Sequence, residues 1–146
     1  RHMDPMTQSI LCVCLGNICR SPTAEAVLRH HLPGLKIDSA GTGDWHIGKP
    51  PYPPAIAAAQ ARGYDLTPLR ARQVTRDDFD RFDLILAMDA QNLTDLRALA
   101  PQARNLDLFR APTGGGAVPD PYITGDFEGA LDLIEEAAAA WAARLR

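Results

Sequence analysis

The chain has 146 residues with 46% hydrophobic and 23% charged side chains, a balance that excludes disorder and fits one globular unit built on a single core. A net charge of −3 without a long Lys or Arg run argues against nucleic acid or anionic lipid as a partner. No apolar stretch approaches the roughly 20 residues of a membrane span, and the chain start lacks a signal-peptide pattern, so a cytoplasmic protein is expected.

Residues 1–6 precede the first apolar run and read as an expression remnant or a disordered leader, leaving 7–146 as the expected domain. Ser9 to Val13 (SILCV) predicts a buried strand, and a glycine-containing turn follows it. Ser21-Pro22 then offers an N-cap and a proline at the first helical position. Ala24, Val27, Leu28 and His31 recur at helical spacing until Pro33-Gly34, and Leu35 to Ala40 reads as a second strand.

Glycine and proline crowd Gly41 to Pro54, which predicts a surface loop carrying Trp45. A helix is expected from Pro54 to Arg62, closed by Gly63. Thr75-Arg-Asp-Asp78 suggests a capping box for a short helix, with Arg76 to Arg81 as its solvated face. Phe82 to Met88 is the strongest strand, and Asp89 is placed to cap a helix bearing Leu93, Leu96 and Leu99. Asn105 to Phe109 predicts a fourth strand, and Phe127, Leu131, Ile134, Trp141 and Leu145 share one face of a final helix. Strands alternating with helices imply a single-domain α/β fold with an open four-stranded parallel sheet covered on both faces. Ligands bind such sheets beyond the carboxyl ends of the strands, and Cys14 sits at the exit of the first.

The three cysteines, 12, 14 and 19, are odd in number and clustered, a poor disulfide framework and a better sign of reactive chemistry. The histidines at 2, 30, 31 and 46 form no spaced ligand pair, so no metal is expected. Between Cys14 and Ser21 the backbone turns from strand to helix, which aims N–H groups at the helix's positive end. Such a loop (Leu15, Gly16, Asn17, Ile18, Cys19, Arg20, Ser21) cradles an oxyanion. Gly16 and Asn17 are residue types that tolerate left-handed backbone, and Arg20 supplies a fork for two phosphate oxygens. The same field favours the thiolate of Cys14, and the Ser21 hydroxyl is suited to position that sulfur. Cys12 alternates into the core.

Val13 to Val27, VCLGNICRSPTAEAV, resembles the signature of the low-molecular-weight protein tyrosine phosphatases. Asp38-Ser39-Ala40-Gly41, Asp44-Trp45, Ala71-Arg72-Gln73, Met88-Asp89 with Asn92, and Asp120-Pro121-Tyr122 resemble further segments of that family, in order. The resemblance implies a flavodoxin-like, phosphotyrosine phosphatase I-like fold and no cofactor. It implies Cys14 as nucleophile, Arg20 as phosphate clamp and Asp120 as general acid and base, acting through a phosphocysteine. It further implies Cys19 as a redox partner of Cys14, Asn17 and Ser39 as loop braces, and Trp45 and Tyr122 as walls for a phenyl ring. Phosphotyrosine proteins are the implied partners, with a cognate tyrosine kinase in the same pathway.

Two departures stand out. Leu69 replaces a histidine that many relatives place in the bracing network, and Ile123 replaces a second tyrosine, which excludes regulation by phosphorylation there. A thioredoxin-linked arsenate reductase needs further cysteines downstream of Cys19, and none follows. A protein-arginine phosphatase carries threonine where this chain has Ile18. A phosphoprotein-binding module would not require Cys14, Arg20 and Asp120 together.

Overall fold

The computed structural model describes residues 7–145; the expectation for residues 1–6 falls outside them. Four parallel strands, β1 (Ser9–Cys14), β2 (Lys36–Gly41), β3 (Leu84–Ala87) and β4 (Leu106–Leu108), form one sheet in the order β2-β1-β3-β4. The first strand is therefore paired on both sides, with Cys12 opposite Ser39 and Leu86, and the strand order reverses beside it. Its six residues are all buried.

Alternation along the strands decides which helix covers which face. Ile10, Cys12, Cys14, Leu84 and Leu86 face α1 (Arg20–His31) and α6 (Phe127–Leu145), where Leu28, Leu131, Ile134 and Trp141 complete the larger core. The Trp141 indole N–H donates to Phe109 O at 2.7 Å, so the largest buried ring leaves no polar group unpaired. Leu11, Val13, Ile85 and Ala87 face the opposite side, where Phe82 and Leu96 pack beside α3 (Asp78–Arg81) and α4 (Ala90–Leu99). A third cluster joins Ile18 and Cys19 to Ala55 and Ala59 of α2 (Pro53–Gln60), and a short helix α5 (Pro121–Thr124) precedes α6.

Several sequence expectations shift. The strands at 82–88 and 105–109 are shorter: the Phe82 N–H closes α3 on Asp78 O, and Phe109, though it still donates to Ala87 O at 2.8 Å, ends the ladder, with both rings filling the cores. The second helix starts at Pro53 and stops at Gln60, with Gly63 at φ 91° ending the following turn. The first helix begins at Arg20 with Cys19 in the cap position, not at Pro22 behind Ser21. Ser21 cannot cap because its hydroxyl is engaged with Cys14 and Asn17. Only half of the capping box forms: the Asp78 carboxylate reaches back to Thr75 N–H at 2.8 Å, while no cap side chain bonds the helix. Nor is Arg76 to Arg81 a purely solvated face. Asp78 is fully buried and takes two hydrogen bonds from Arg72, since a carboxylate withdrawn from water needs a cation beside it.

Candidate active site

Beyond the end of β1 the chain runs through five loop residues before α1 starts, and the loop is held from outside. Thr42, Gly43 and Tyr52 donate their N–H groups to the carbonyls of Cys14, Leu15 and Ile18 at 2.9, 2.9 and 2.8 Å. Each peptide is planar and trans, so carbonyls turned outward set the N–H groups of Leu15, Gly16 and Cys19 toward the concave side. The loop and the first turn of α1 thus make the amide nest that the sequence predicts for an oxyanion.

Asn17 has φ 56°, and its N–H donates to Cys14 Sγ at 3.3 Å. Its side-chain amide donates to Ser21 Oγ at 2.8 Å and to Ser39 Oγ at 3.0 Å, while Oδ1 accepts Arg72 N–H at 3.0 Å. Ser21 Oγ lies 3.0 Å from Cys14 Sγ and 3.4 Å from Ala40 O, so with a thiolate at Cys14 its proton has the sulfur as the nearer acceptor. The sulfur therefore lies within hydrogen-bond distance of both the Asn17 N–H and the Ser21 hydroxyl. Gly16 differs from expectation: it does not take a positive φ, and its lack of a side chain instead admits His46, whose ring carbon Cδ2 would lie 3.0 Å from a Cβ there.

The bracing continues inward through a residue whose role the sequence reading missed. Ser39 Oγ donates to Glu25 Oε1 at 2.6 Å, and Arg29 pairs with the other oxygen at 2.7 Å. Burial pushes the Glu25 carboxyl above its ordinary pKa, with the Ser39 bond and the Arg29 charge opposing. The helical spacing of four to Arg29 shows the ion pair but not the burial. Leu69, in place of the histidine of many relatives, packs against the Ile18 and Ala71 cluster.

Arg20 is buried with Nη1 fixed by Asp89 Oδ2 at 2.7 Å and Val118 O at 2.9 Å. That leaves the other edge of the fork: Nε is buried without a partner, and Nη2 lies 3.7 Å from Asp120 Oδ2. Asp120 caps α5, its Oδ1 accepting Tyr122 N–H at 3.1 Å, and so reaches the cleft from a loop a hundred residues away from Cys14. Asp89 is the second group whose role was unforeseen, read from sequence as a helix cap within a family-like segment and not as the partner of Arg20.

These residues meet in one cleft of about 110 Å³ lined by Cys14, Leu15, Gly16, Ile18, Cys19, Arg20, Trp45, His46, Asp120 and Tyr122. Its size admits the end of one side chain. At the mouth Trp45 and Tyr122 are 65% and 55% exposed, free to receive a ring. Cys19 lines the same cleft as a thiol, its pKa pushed up to about 12 by burial and by the charges of Cys14 and Asp120 against the pull of Arg20. Cys12 is fully buried in the core. Among the described residues no cluster of three His, Cys, Asp or Glu side chains is arranged to hold a metal ion.

The profile of the family described as low molecular weight phosphotyrosine protein phosphatase matches residues 9–146. The chain belongs to this family. It is therefore a protein tyrosine phosphatase by descent, a hydrolase of phosphoric monoesters. Its sequence is 44% identical over 138 residues to the low molecular weight protein-tyrosine-phosphatase YfkJ of Bacillus subtilis, covering 87% of this chain and 88% of the relative. Over 143 residues it is 39% identical to the phosphatase Wzb of Escherichia coli, covering 96% and 97%. The solved structure of Vibrio vulnificus Wzb in complex with benzylphosphonate superposes with a TM-score of 0.91 at 39% identity, covering 95% of this chain and 99% of that one. The sheet order and the helices on both faces of this phosphatase are those of its relatives' fold.

Proposed function

We propose that this phosphatase hydrolyses phosphotyrosine in proteins through a phosphocysteine on Cys14, with Asp120 serving first as acid and then as base. The observation that carries the reading is the meeting, in one cleft, of a sulfur under two hydrogen-bond donors, the open edge of the Arg20 fork and the Asp120 carboxyl. The Cys14 thiolate attacks phosphorus in line, the bond from phosphorus to the phenolic oxygen breaks, and that oxygen takes the proton of Asp120. Water then attacks the phosphocysteine, gives its proton to Asp120, and releases phosphate and the thiolate, to which Ser21 restores its hydrogen bond. The loop amides from Leu15 to Ser21, with Nε and Nη2 of Arg20, hold the equatorial oxygens throughout. No cofactor takes part.

Trp45 and Tyr122 flank the phenyl ring, which reaches the floor of the cleft where the shorter phosphoserine does not. The tyrosine-phosphorylated protein must come from a tyrosine kinase, so a cognate kinase is the expected upstream partner. We assign the catalytic domain to residues 7–146. Its compartment is the cytoplasm, since a catalytic thiol and three cysteines free of disulfides suit a reducing environment. Cys19 guards the nucleophile there: when peroxide oxidises Cys14 to the sulfenic acid, the Cys19 thiol attacks that sulfur and expels water, leaving a reducible disulfide.

The test is hydrolysis of a phosphotyrosine peptide and of phenyl phosphate. The wild type turns over both, Cys14→Ser neither, and Asp120→Ala loses on the order of a hundredfold or more in kcat/KM. Turnover by Cys14→Ser would sink the covalent mechanism.

A further inference from the structure

Tyr52 touches both halves of the cleft. It occupies the cap position before α2, and its N–H donates to Ile18 O at 2.8 Å, tying it to the phosphate loop. Its ring, half-buried on the Ile18 and Ala55 cluster, lies 5.0 Å from the ring of Tyr122 and 6.0 Å, stacked, from Phe127. Tyr122 and Phe127 bracket the segment that Asp120 begins, and Asp120 Oδ1 accepts the Tyr122 N–H. Among the described residues Tyr52 is the one ring paired with Tyr122, which is otherwise more than half exposed. Among the described residues the Tyr52 hydroxyl has no hydrogen-bond partner, so the ring carries the contact.

We propose that Tyr52 is a specificity-determining positioning residue: its ring props the Tyr122 wall and thereby fixes Asp120 over Cys14, favouring aryl phosphates whose leaving oxygen must be protonated. The inference rests on the role given above to Asp120. Aromatic pairs of this separation have a preferred geometry, and an ångström of misplacement in a proton donor is costly for transfer. A prop built from a ring also explains why a residue that never reaches phosphorus would matter more for one leaving group than another.

The experiment compares Tyr52→Phe, Tyr52→Leu and Tyr52→Ala with the wild type. Leucine keeps apolar bulk on the Ile18 cluster without a ring, so a folding defect confined to alanine leaves the test intact. Three quantities are read: kcat/KM for phenyl phosphate, kcat/KM for para-nitrophenyl phosphate, whose leaving group needs less protonation, and competitive inhibition by inorganic phosphate. Tyr52→Leu is expected to lose about tenfold on phenyl phosphate and about twofold on the nitrophenyl ester, with phosphate inhibition unchanged and Tyr52→Phe like the wild type. Equal losses on both esters, weakened phosphate inhibition, a defect in Tyr52→Phe equal to that of Tyr52→Leu, or wild-type kinetics in Tyr52→Leu would each overturn it. If Asp120→Ala itself shows no difference between the two esters, the acid assignment fails and takes this inference with it.

Discussion

Asp89 holds Arg20 with one oxygen and caps α4 with the other: Oδ2 lies 2.7 Å from Nη1, and Oδ1 accepts Asn92 N–H at 2.8 Å. The two roles separate by substitution. Asn caps a helix about as well as Asp, so Asp89→Asn should keep the helix while removing the charge that aims the fork. Asp89→Ala should lose both, unfolding in urea with about 1 kcal/mol less stability than Asp89→Asn. Both should weaken competitive inhibition by phosphate about tenfold, the scale of one charge-assisted hydrogen bond. Identical urea curves for the two variants would remove the cap from this account.

Gly41 closes β2 opposite Cys14, and a methyl group there would sit 2.7 Å from the Leu15 carbonyl oxygen and 3.2 Å from Asn17. The obstacle is backbone, so the phosphate loop must move. Gly41→Ala should therefore cut kcat/KM by about a hundredfold with the loop, not the sheet, as the casualty. Amide exchange that stays slow in Val13 and fast turnover in the same variant would contradict this.

The two buried carboxylates respond to pH in opposite directions. Burial pushes Asp78 upward, but the Arg72 guanidinium and the Thr75 N–H outweigh it and hold the carboxyl below the usual range. Its stabilisation is present above the unfolded value of about 3.9 and is lost as pH falls through the lower folded value. Asp78→Asn should thus cost on the order of 2 kcal/mol at neutral pH, a deficit that shrinks in acid. Glu25 is raised, so the folded state favours its protonated form. Stability from that source is full below about pH 4.3 and is lost as pH rises through the folded value. Glu25→Gln should be at least as stable as the wild type at pH 7, with the comparison reversing or closing toward pH 4. Urea unfolding across pH 3 to 7 checks both signs.

The Cys19 side chain is a thiol at neutral pH and only its backbone amide serves the proposed phosphoryl transfer, so Cys19→Ser should hydrolyse phenyl phosphate nearly as the wild type does. After peroxide and then dithiothreitol, the wild type should recover activity and Cys19→Ser should recover little, because its Cys14 continues to the sulfinic acid. Equal recovery would assign Cys19 to packing alone.

The fold was readable because β1 and β3 are short apolar runs between strong helix boundaries; Asp89 as a cap and the α6 face from Leu131 to Leu145 appear as the periodicity requires, while Phe127 packs on the third cluster. That Cys14, Arg20 and Ser21 come together was readable because strand, loop and helix are contiguous. Asp120 was legible only through the family resemblance, because no local pattern says which of many distant loops folds over a strand end. Glu25 escaped for the converse reason: on a helix, a glutamate four residues before an arginine looks like a surface pair, and only the packing of β2 against α1 shows it buried. Asp78 was hidden likewise, its neighbours Arg76, Asp77, Asp80 and Arg81 being the polar residues of an exposed turn. Ser21 misled as a cap because it lies inside α1, where its hydroxyl bonds Cys14 and Asn17.

The first strand is hydrogen-bonded on both edges and carries Cys14 as its final residue, while Trp45, Tyr52 and Tyr122 stand on connections outside the sheet. Amides of Val13 and Cys14 should then exchange with solvent only through global unfolding, and those around Trp45 and Tyr122 through small local openings. The rim can breathe, and can accept substitutions that retune which phosphoproteins enter, without loosening the sulfur from its seat.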